Sequence, residues 1–151
     1  MLDSHSHSHS HSFMRASLTR RVTFAAAHRY RIAEWSDEKN EQTFGLCARP
    51  NYHGHSYVCD VTVSGPIDPC TGFCVDLGVL DRILETEVKN RFDHRNINLD
   101  VPEFADGKLV PTGENLARFI FERVEHALAG KASVQRVTVA EDATLRTTFE
   151  R

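Results

Sequence analysis

The sequence predicts an α+β fold built as one domain. Two runs in the first half of the chain, and a third near its end, alternate apolar and polar residues as β-strands do. Two stretches between the second and third of these runs instead repeat apolar residues at helical spacing. Hydrophobic residues make up 40% of the 151 residues, which is ordinary for a globular protein with one core.

The first thirteen residues stand apart from this pattern. They repeat Ser-His and hold four of the nine histidines, as an engineered affinity tag does. We therefore expect residues 1–13 to be a tag, the natural chain to start at Met14, and residues 14–151 to form the single domain.

Charge and composition exclude several classes of function. The formal net charge of −3 carries no basic excess, so neither nucleic acid nor a membrane surface is an expected partner. No run approaches the roughly 18 apolar residues of a membrane span, and no secretory signal follows Met14. The four cysteines form no Cys-x-x-Cys pair, which favours free thiols in a reducing compartment. Together these observations predict a cytoplasmic protein.

The first two predicted strands each carry histidine at one end. Residues two apart in a strand point to the same side, so His53 and His55 lie together in the strand over residues 51–63. The strand over residues 18–28 ends its own apolar stripe with His28. If these ends meet in one sheet, the three imidazoles can bind one metal ion at about 2.0 to 2.1 Å.

Cys47 lies in the polar segment between these strands, which also holds a predicted short exposed helix in residues 34–41. A cysteine close to a histidine cluster can be a fourth metal ligand, or a base or nucleophile activated by a nearby cation. A lone loop cysteine can equally be inert. The residues alone leave these alternatives open.

A hairpin and the first long helix come next. Turn residues between Ser64 and Gly72 precede a short predicted strand over residues 73–75. Asp76 can then cap a helix that ends near Asn90.

Asp93 and His94 directly follow that helix. A carboxylate beside an imidazole suits proton transfer, because it raises the basicity of a ring that it can reach. Adjacent residues on a regular helix point apart, so direct pairing requires an irregular backbone. A solvated polar loop is the alternative.

The second helix and the last strand complete the chain. Thr112 is the expected N-cap of that helix and Gly130 its end. The last strand, over residues 134–140, aims Val137 and Val139 to the same side as Glu141. Glu141 can be solvated, or can bind a ligand through two acceptor oxygens that match paired N–H donors.

These motifs occur in the order of a known family. They are Phe24-Ala25-Ala26-Ala27-His28, Cys47-x5-His53-Gly54-His55, Asp68-x2-Thr71-Gly72-x2-Val75-Asp76, Asp93-His94-x-Asn96, Pro111-Thr112-x-Glu114-Asn115 and Glu141. The ordered set covers nearly the whole chain after the tag and resembles the 6-pyruvoyl-tetrahydropterin synthase family. The resemblance implies the tunnelling fold (T-fold), which is a four-stranded antiparallel sheet with two helices packed on one face. It also implies trimers whose sheets close into a barrel, commonly stacked in pairs as hexamers.

The resemblance implies a zinc-dependent lyase acting on 7,8-dihydroneopterin triphosphate, with loss of triphosphate and no external redox cofactor. Zn²⁺ would be bound by His28, His53 and His55, and three neutral imidazoles with one open position are typical of catalytic zinc. Cys47 matches the thiol that abstracts a proton. The pair that activates this thiol matches Asp93 and His94, supplied by a neighbouring subunit. Substrate-binding positions match Glu141, which anchors the pterin, and Thr112 and Glu114 beside it.

Two family members share this substrate and differ in product. One makes 6-pyruvoyl-tetrahydropterin for tetrahydrobiopterin, and the other makes 6-carboxytetrahydropterin, losing acetaldehyde, on the queuosine route. The five residues between Cys47 and His53 resemble the pyruvoyl enzymes. The sequence departs from the family pattern in three places: Ser56 stands where Asn is common, Gly113 replaces a hydroxyl residue beside the pterin, and Thr147-Thr148-Phe149 replaces Tyr-x-Gly. The departure at Gly113 puts substrate affinity and product choice in question.

Two further hypotheses belong to other classes. A zinc-binding protein of the same fold could bind a pterin or purine without turnover, although the intact Cys47, Asp93 and His94 favour the enzyme. A cupin-like metalloenzyme also carries His-x-His on a strand, but it would have many strands and no pair of long helices.

Overall fold

A computed structural model of the protein describes residues 14–151, so the predicted tag lies outside the described residues. Its five strands are β1 (Arg15–His28), β2 (His53–Pro66), β3 (Arg95–Asn96), β4 (Ser133–Ala140) and β5 (Arg146–Glu150). They form one sheet in the order β3-β1-β2-β4-β5. Strands β1 (Arg15–His28) and β2 (His53–Pro66) pair antiparallel along their whole length, from Arg15 opposite Pro66 to His28 opposite His53. The alternation that predicts both strands is thus confirmed, and their histidine ends lie side by side.

The segment between these strands folds back over the histidine end of the sheet. It contains helix α1 (Asp37–Phe44), capped by the Ser36 side chain, and a 3-10 turn (Gly45–Ala48). The buried Asn40 side chain bonds the backbone of Ile32, Trp35 and Ser36, which ties α1 to the chain leaving β1. These hydrogen bonds fix the conformation of a polar segment whose sequence shows no strand or helix periodicity.

The first long helix begins where its cap predicts. Asp76 accepts a hydrogen bond from the Val79 N–H and starts α2 (Leu77–Leu84). The helix continues through a π turn (Glu85–Lys89) into α3 (Asn90–Phe92), so its predicted end is two residues early.

The strand prediction over residues 73–75 is wrong, because none of these residues joins the sheet and Cys74 and Val75 form a bend. The Asp68 carboxylate accepts from Cys70 N–H and Thr71 N–H, and the Asp68 N–H bonds the Phe73 carbonyl. The Phe73 carbonyl therefore bonds within its own loop and does not pair with a neighbouring strand.

A short connection follows, with β3 (Arg95–Asn96), α4 (Ile97–Asp100) and a 3-10 turn (Pro102–Phe104). Helix α5 (Gly113–Leu128) then begins at the predicted cap, since the Thr112 hydroxyl accepts from the Asn115 N–H. Its C-cap is Ala129, which adopts the left-handed conformation with φ 50° one residue before Gly130.

The fourth antiparallel strand was not predicted. Strand β4 (Ser133–Ala140) agrees with the expected last strand, but β5 (Arg146–Glu150) follows it and pairs with it antiparallel. Strand β5 is short and has Phe149 as its only large apolar residue, so its alternation is a weak signal. It supplies the fourth antiparallel strand in place of residues 73–75.

The helices cover one face of the sheet and leave the other polar. Buried residues of α2 and α5, including Leu80, Leu116 and Ile120, join Phe24 and Tyr57 of the sheet in one core. The opposite face carries the exposed Arg21–Asp60 pair and a Thr19–Thr62 hydrogen bond of 2.7 Å. Antiparallel sheets tolerate one polar face in this way. Within residues 14–151, no helix combines the length and apolar character needed to cross a bilayer.

Candidate active site

Three histidines meet where β1 and β2 end. The register places His28 directly opposite His53, while His55 lies opposite Ala26 on the same side. His28 Nε2 and His53 Nε2 are 3.1 Å apart, and one ring nitrogen of each histidine lies within 4.8 Å of the others. The cluster predicted from two separate stretches is therefore present in the fold.

The buried His28 ring is held by the backbone. Its Nδ1 lies 3.0 Å from the Pro111 carbonyl, which precedes α5. A carbonyl oxygen only accepts, so Nδ1 carries the proton and the Nε2 lone pair faces His53. Burial, followed by the neighbouring His53, lowers the pKa of His28 to about 4. The neutral form that binds a metal is the one this environment favours.

The His55 side chain supplies a test of whether the cluster fits a metal. Its Nε2 is buried and has no hydrogen-bond partner within residues 14–151. Its distance of 3.8 Å from Glu141 Oε2 is too long for a hydrogen bond. A buried ring nitrogen without a partner, beside two others facing the same point, fits metal coordination. The three histidines can therefore bind a metal ion.

Glu141 is the buried acid beside this cluster. It follows β4 and is 7% exposed. Its Oε1 accepts a hydrogen bond of 3.0 Å from the Tyr30 hydroxyl, whereas no described residue bonds Oε2. Burial, reinforced by the Glu141 charge, raises the pKa of Tyr30, which keeps that hydroxyl a donor. One acceptor oxygen of Glu141 thus stays available for a ligand.

Tyr30 was missed by sequence reasoning. It lies two residues beyond His28, so extending the alternation of β1 by one step would have placed both on one side. The Pro111 carbonyl carried no such signal, because a backbone oxygen is the same at every position.

Cys47 lies in the 3-10 turn, half-buried and tied to the chain leaving β1. Its carbonyl accepts from Tyr30 N–H at 2.8 Å, and the next carbonyl, of Ala48, accepts from Arg29 Nε at 2.8 Å. Burial, with the Glu141 charge as a second cause, raises the pKa of the Cys47 thiol. Within the described residues, the side chains placed to bind one metal ion are the three histidines, and Cys47 is not among them.

Asp93 and His94 form the expected pair through irregular backbone. His94 has φ 57°, and its Nδ1 lies 3.1 Å from Asp93 Oδ2. A hydrogen bond from Ala25 N–H to Asp93 Oδ1 is the main cause that lowers the pKa of Asp93, so this carboxylate is ionised. The His94 side chain is 84% exposed. It shares a shallow surface groove with His55, and within residues 14–151 no hydrogen bond joins it to Cys47.

Thr112 and Glu114 lie at the N-terminus of α5. The Thr112 hydroxyl is engaged in capping the helix. Glu114 is exposed, yet its charge is among the causes that raise the pKa of Tyr30, so it lies close enough to influence the Glu141 region. The structure therefore places Glu114 within electrostatic reach of the Tyr30–Glu141 pair, while the Thr112 hydroxyl serves the helix cap.

The secondary structure also tests the hypothesis of a cupin-like metalloenzyme. Helices α2 and α5 cover one face of a five-stranded sheet. A cupin would have many strands and no such pair of helices, so the cupin hypothesis is wrong.

Comparison with known proteins agrees with this geometry. The family model for 6-pyruvoyl tetrahydropterin synthase matches residues 17–151. The 6-pyruvoyl tetrahydrobiopterin synthase of Homo sapiens is 42% identical over 114 residues, which are 76% of this chain and 77% of that protein. The Drosophila melanogaster protein of the same name is 38% identical over 126 residues, covering 83% and 74% of the two chains. The solved structure of Caenorhabditis elegans 6-pyruvoyl tetrahydropterin synthase superimposes with a TM-score of 0.85 at 32% identity, covering 92% of this chain and 97% of that one.

Proposed function

Because this chain belongs to the 6-pyruvoyl tetrahydropterin synthase family, whose tunnelling fold it shares, we propose that it converts 7,8-dihydroneopterin triphosphate to 6-pyruvoyl-tetrahydropterin with loss of triphosphate. The observation that carries this proposal is the pairing of a three-histidine cluster with the buried Glu141, whose Oε2 lies 3.8 Å from His55 Nε2. Such a site can bind a cation and a donor-bearing ring side by side.

We assign Zn²⁺ to the three histidines. The Pro111 carbonyl orients the His28 ring as an outer partner does in zinc sites. When bound, zinc would supply a Lewis acid that acidifies the side-chain hydroxyls of the substrate.

Glu141 would hold the pterin ring. The ring presents an amino group beside an N–H, and two carboxylate oxygens accept from such a pair. The Tyr30 hydroxyl already donates one hydrogen bond to Oε1, and this bond fixes the carboxylate in place. The ring is thereby oriented so that its side chain extends towards the histidines.

Cys47 would move the proton along the substrate side chain. Its raised pKa keeps the thiol protonated in the isolated chain, so the thiolate must be generated by a partner that takes the proton. Asp93 orients His94 so that its second ring nitrogen is free for this task. Since His94 is exposed and unconnected to Cys47 within residues 14–151, we place the two in one site across a subunit contact.

This assignment predicts a homo-oligomer, as a trimer or a pair of trimers. The polar sheet face and the outer edge of β5 are uncovered in one chain, and edge strands are natural pairing surfaces. A cytoplasmic location also remains a prediction, consistent with four free cysteines.

The test is incubation of the zinc-loaded protein with 7,8-dihydroneopterin triphosphate, followed by mass spectrometry of the products. 6-Pyruvoyl-tetrahydropterin supports the proposal, whereas 6-carboxytetrahydropterin with acetaldehyde supports the alternative product. Cys47→Ala should abolish turnover while zinc is retained. Tight pterin binding without any product would favour a binding protein of the same fold.

A further inference from the structure

The space above Gly113 is occupied by a side chain from another element. Gly113 is the buried first residue of α5. A Cβ atom added there would lie 2.6 Å from Thr147 Oγ1 and 3.1 Å from Thr147 Cβ, closer than side chains pack. Thr147 of β5 therefore fills the position into which a larger residue at 113 would project.

The Thr147 hydroxyl points into the region of the substrate anchor. The same point above Gly113 lies 3.8 Å from Glu141 Oε1. The Thr147 hydroxyl and the Glu141 carboxylate thus border one small volume at the N-terminus of α5. Glycine at 113 adds no side chain of its own to that volume.

Thr147 is also a polar residue on an apolar side of its strand. It lies opposite Val139, and residues opposite one another in an antiparallel pair share a face. Val139 is fully buried, and Phe149, two residues on, packs on Phe121 with ring centroids 5.1 Å apart. The Thr147 side chain is half-buried, and within residues 14–151 its hydroxyl bonds no other residue, so it is available to a ligand.

We infer that Thr147 is a substrate-binding residue whose hydroxyl bonds the edge of the heterocycle that Glu141 anchors. This inference rests on the proposed function. A pterin ring flanks the two donors that face Glu141 with acceptors, a carbonyl oxygen and a ring nitrogen. A hydroxyl beside the carboxylate donates to one of them, which completes an acceptor-and-donor pattern specific for this ring edge.

The direct test compares Thr147→Val with Thr147→Ser. Valine keeps the shape and replaces the hydroxyl by a methyl group, whereas serine keeps the hydroxyl. Loss of one neutral hydrogen bond should weaken 7,8-dihydroneopterin binding, measured by calorimetry, by about three- to tenfold in Thr147→Val. Thr147→Ser should bind more tightly than Thr147→Val. In turnover, KM should rise in Thr147→Val with kcat nearly unchanged, because the ring edge lies away from the reacting side chain.

Thr148→Val is the matched control on the same strand. Thr148 is exposed on the opposite face, where its hydroxyl bonds Thr138 at 2.8 Å. Its substitution should leave pterin affinity unchanged.

A second pair of variants separates binding from space filling. Gly113→Ala with Thr147→Ala restores the lost volume without a hydroxyl, and Gly113→Ser with Thr147→Ala returns a hydroxyl from the helix side. Only the serine pair should recover affinity. Equal affinity of the two pairs would mean that Thr147 merely packs against Gly113.

The outcomes distinguish the inference from the function on which it rests. Wild-type affinity in Thr147→Val, in a protein that binds the pterin, overturns the inference alone. A wild-type protein that does not bind 7,8-dihydroneopterin at all overturns both.

Discussion

Glu141→Gln removes one acceptor from the buried anchor and should weaken substrate binding strongly. Glutamine keeps the shape and can still accept from Tyr30, which bonds Oε1 at 3.0 Å. Its amide nitrogen then replaces Oε2 and faces a ring donor with another donor. A hydrogen bond to a charged acceptor contributes about 1.5 to 3 kcal/mol. That energy corresponds to about a 10- to 150-fold change in affinity.

The assay is steady-state turnover of 7,8-dihydroneopterin triphosphate, with zinc content and thermal unfolding measured on the same samples. We expect KM to rise by at least about tenfold from the lower bound of that energy, with zinc retained. Tyr30→Phe, which removes only a neutral donor to Glu141, should raise KM by less. Glu150→Gln, on the exposed side of β5, serves as the control. An unchanged KM in folded, zinc-loaded Glu141→Gln would refute the anchoring role.

Three further predictions concern the metal, the subunit contact and stability. His53→Ala should lower bound zinc, measured by atomic emission, because it removes one of three imidazoles that face one point. Mixing Cys47→Ala with His94→Ala subunits, each inactive alone, should restore turnover. About a quarter of the sites in randomly mixed rings would then combine both wild-type residues if they come from different subunits. Glu87→Gln should lower the free energy of unfolding at pH 7 by about 1 to 3 kcal/mol, measured by urea denaturation, because it removes charge-assisted hydrogen bonds. Burial alone would raise the pKa of Glu87, but hydrogen bonds led by that from Arg123 outweigh it and lower the pKa.

The controls follow from exposure and from the sign of the pKa shift. His126→Ala, on the exposed side of α5, should retain zinc, and equal zinc loss in both histidine variants would contradict the metal site. Mixed subunits that stay inactive after confirmed exchange would place Cys47 and His94 in separate sites. A lowered folded pKa means that the Glu87 contribution is present above the unfolded pKa and disappears as pH falls through the folded one. A stability difference that persists at low pH would therefore contradict the ionic role of Glu87.

Local patterns in the sequence were sufficient for the strands that carry the metal cluster. Two-residue periodicity places His53 and His55 on one side of β2, and it depends only on neighbours along the chain. The caps Asp76 and Thr112 were predictable for the same reason, since each bonds an N–H three residues ahead.

The wrong strand prediction over residues 73–75 and the missed strand β5 also have physical causes. Residues 73–75 look like a strand by composition, but the Phe73 carbonyl bonds the Asp68 N–H of the preceding turn and none of the three residues joins the sheet. Strand β5 has a weak pattern and forms because β4 offers it a partner edge.

The sequence by itself determined which side chains share a face, because that property follows from the repeat of a single strand or helix. Only the tertiary structure decided that His28 meets His53, that Tyr30 bonds Glu141, and that Thr147 fills the space above Gly113. These contacts join residues far apart in the chain, and the pairing and packing of separate elements, which no local pattern encodes, determine them.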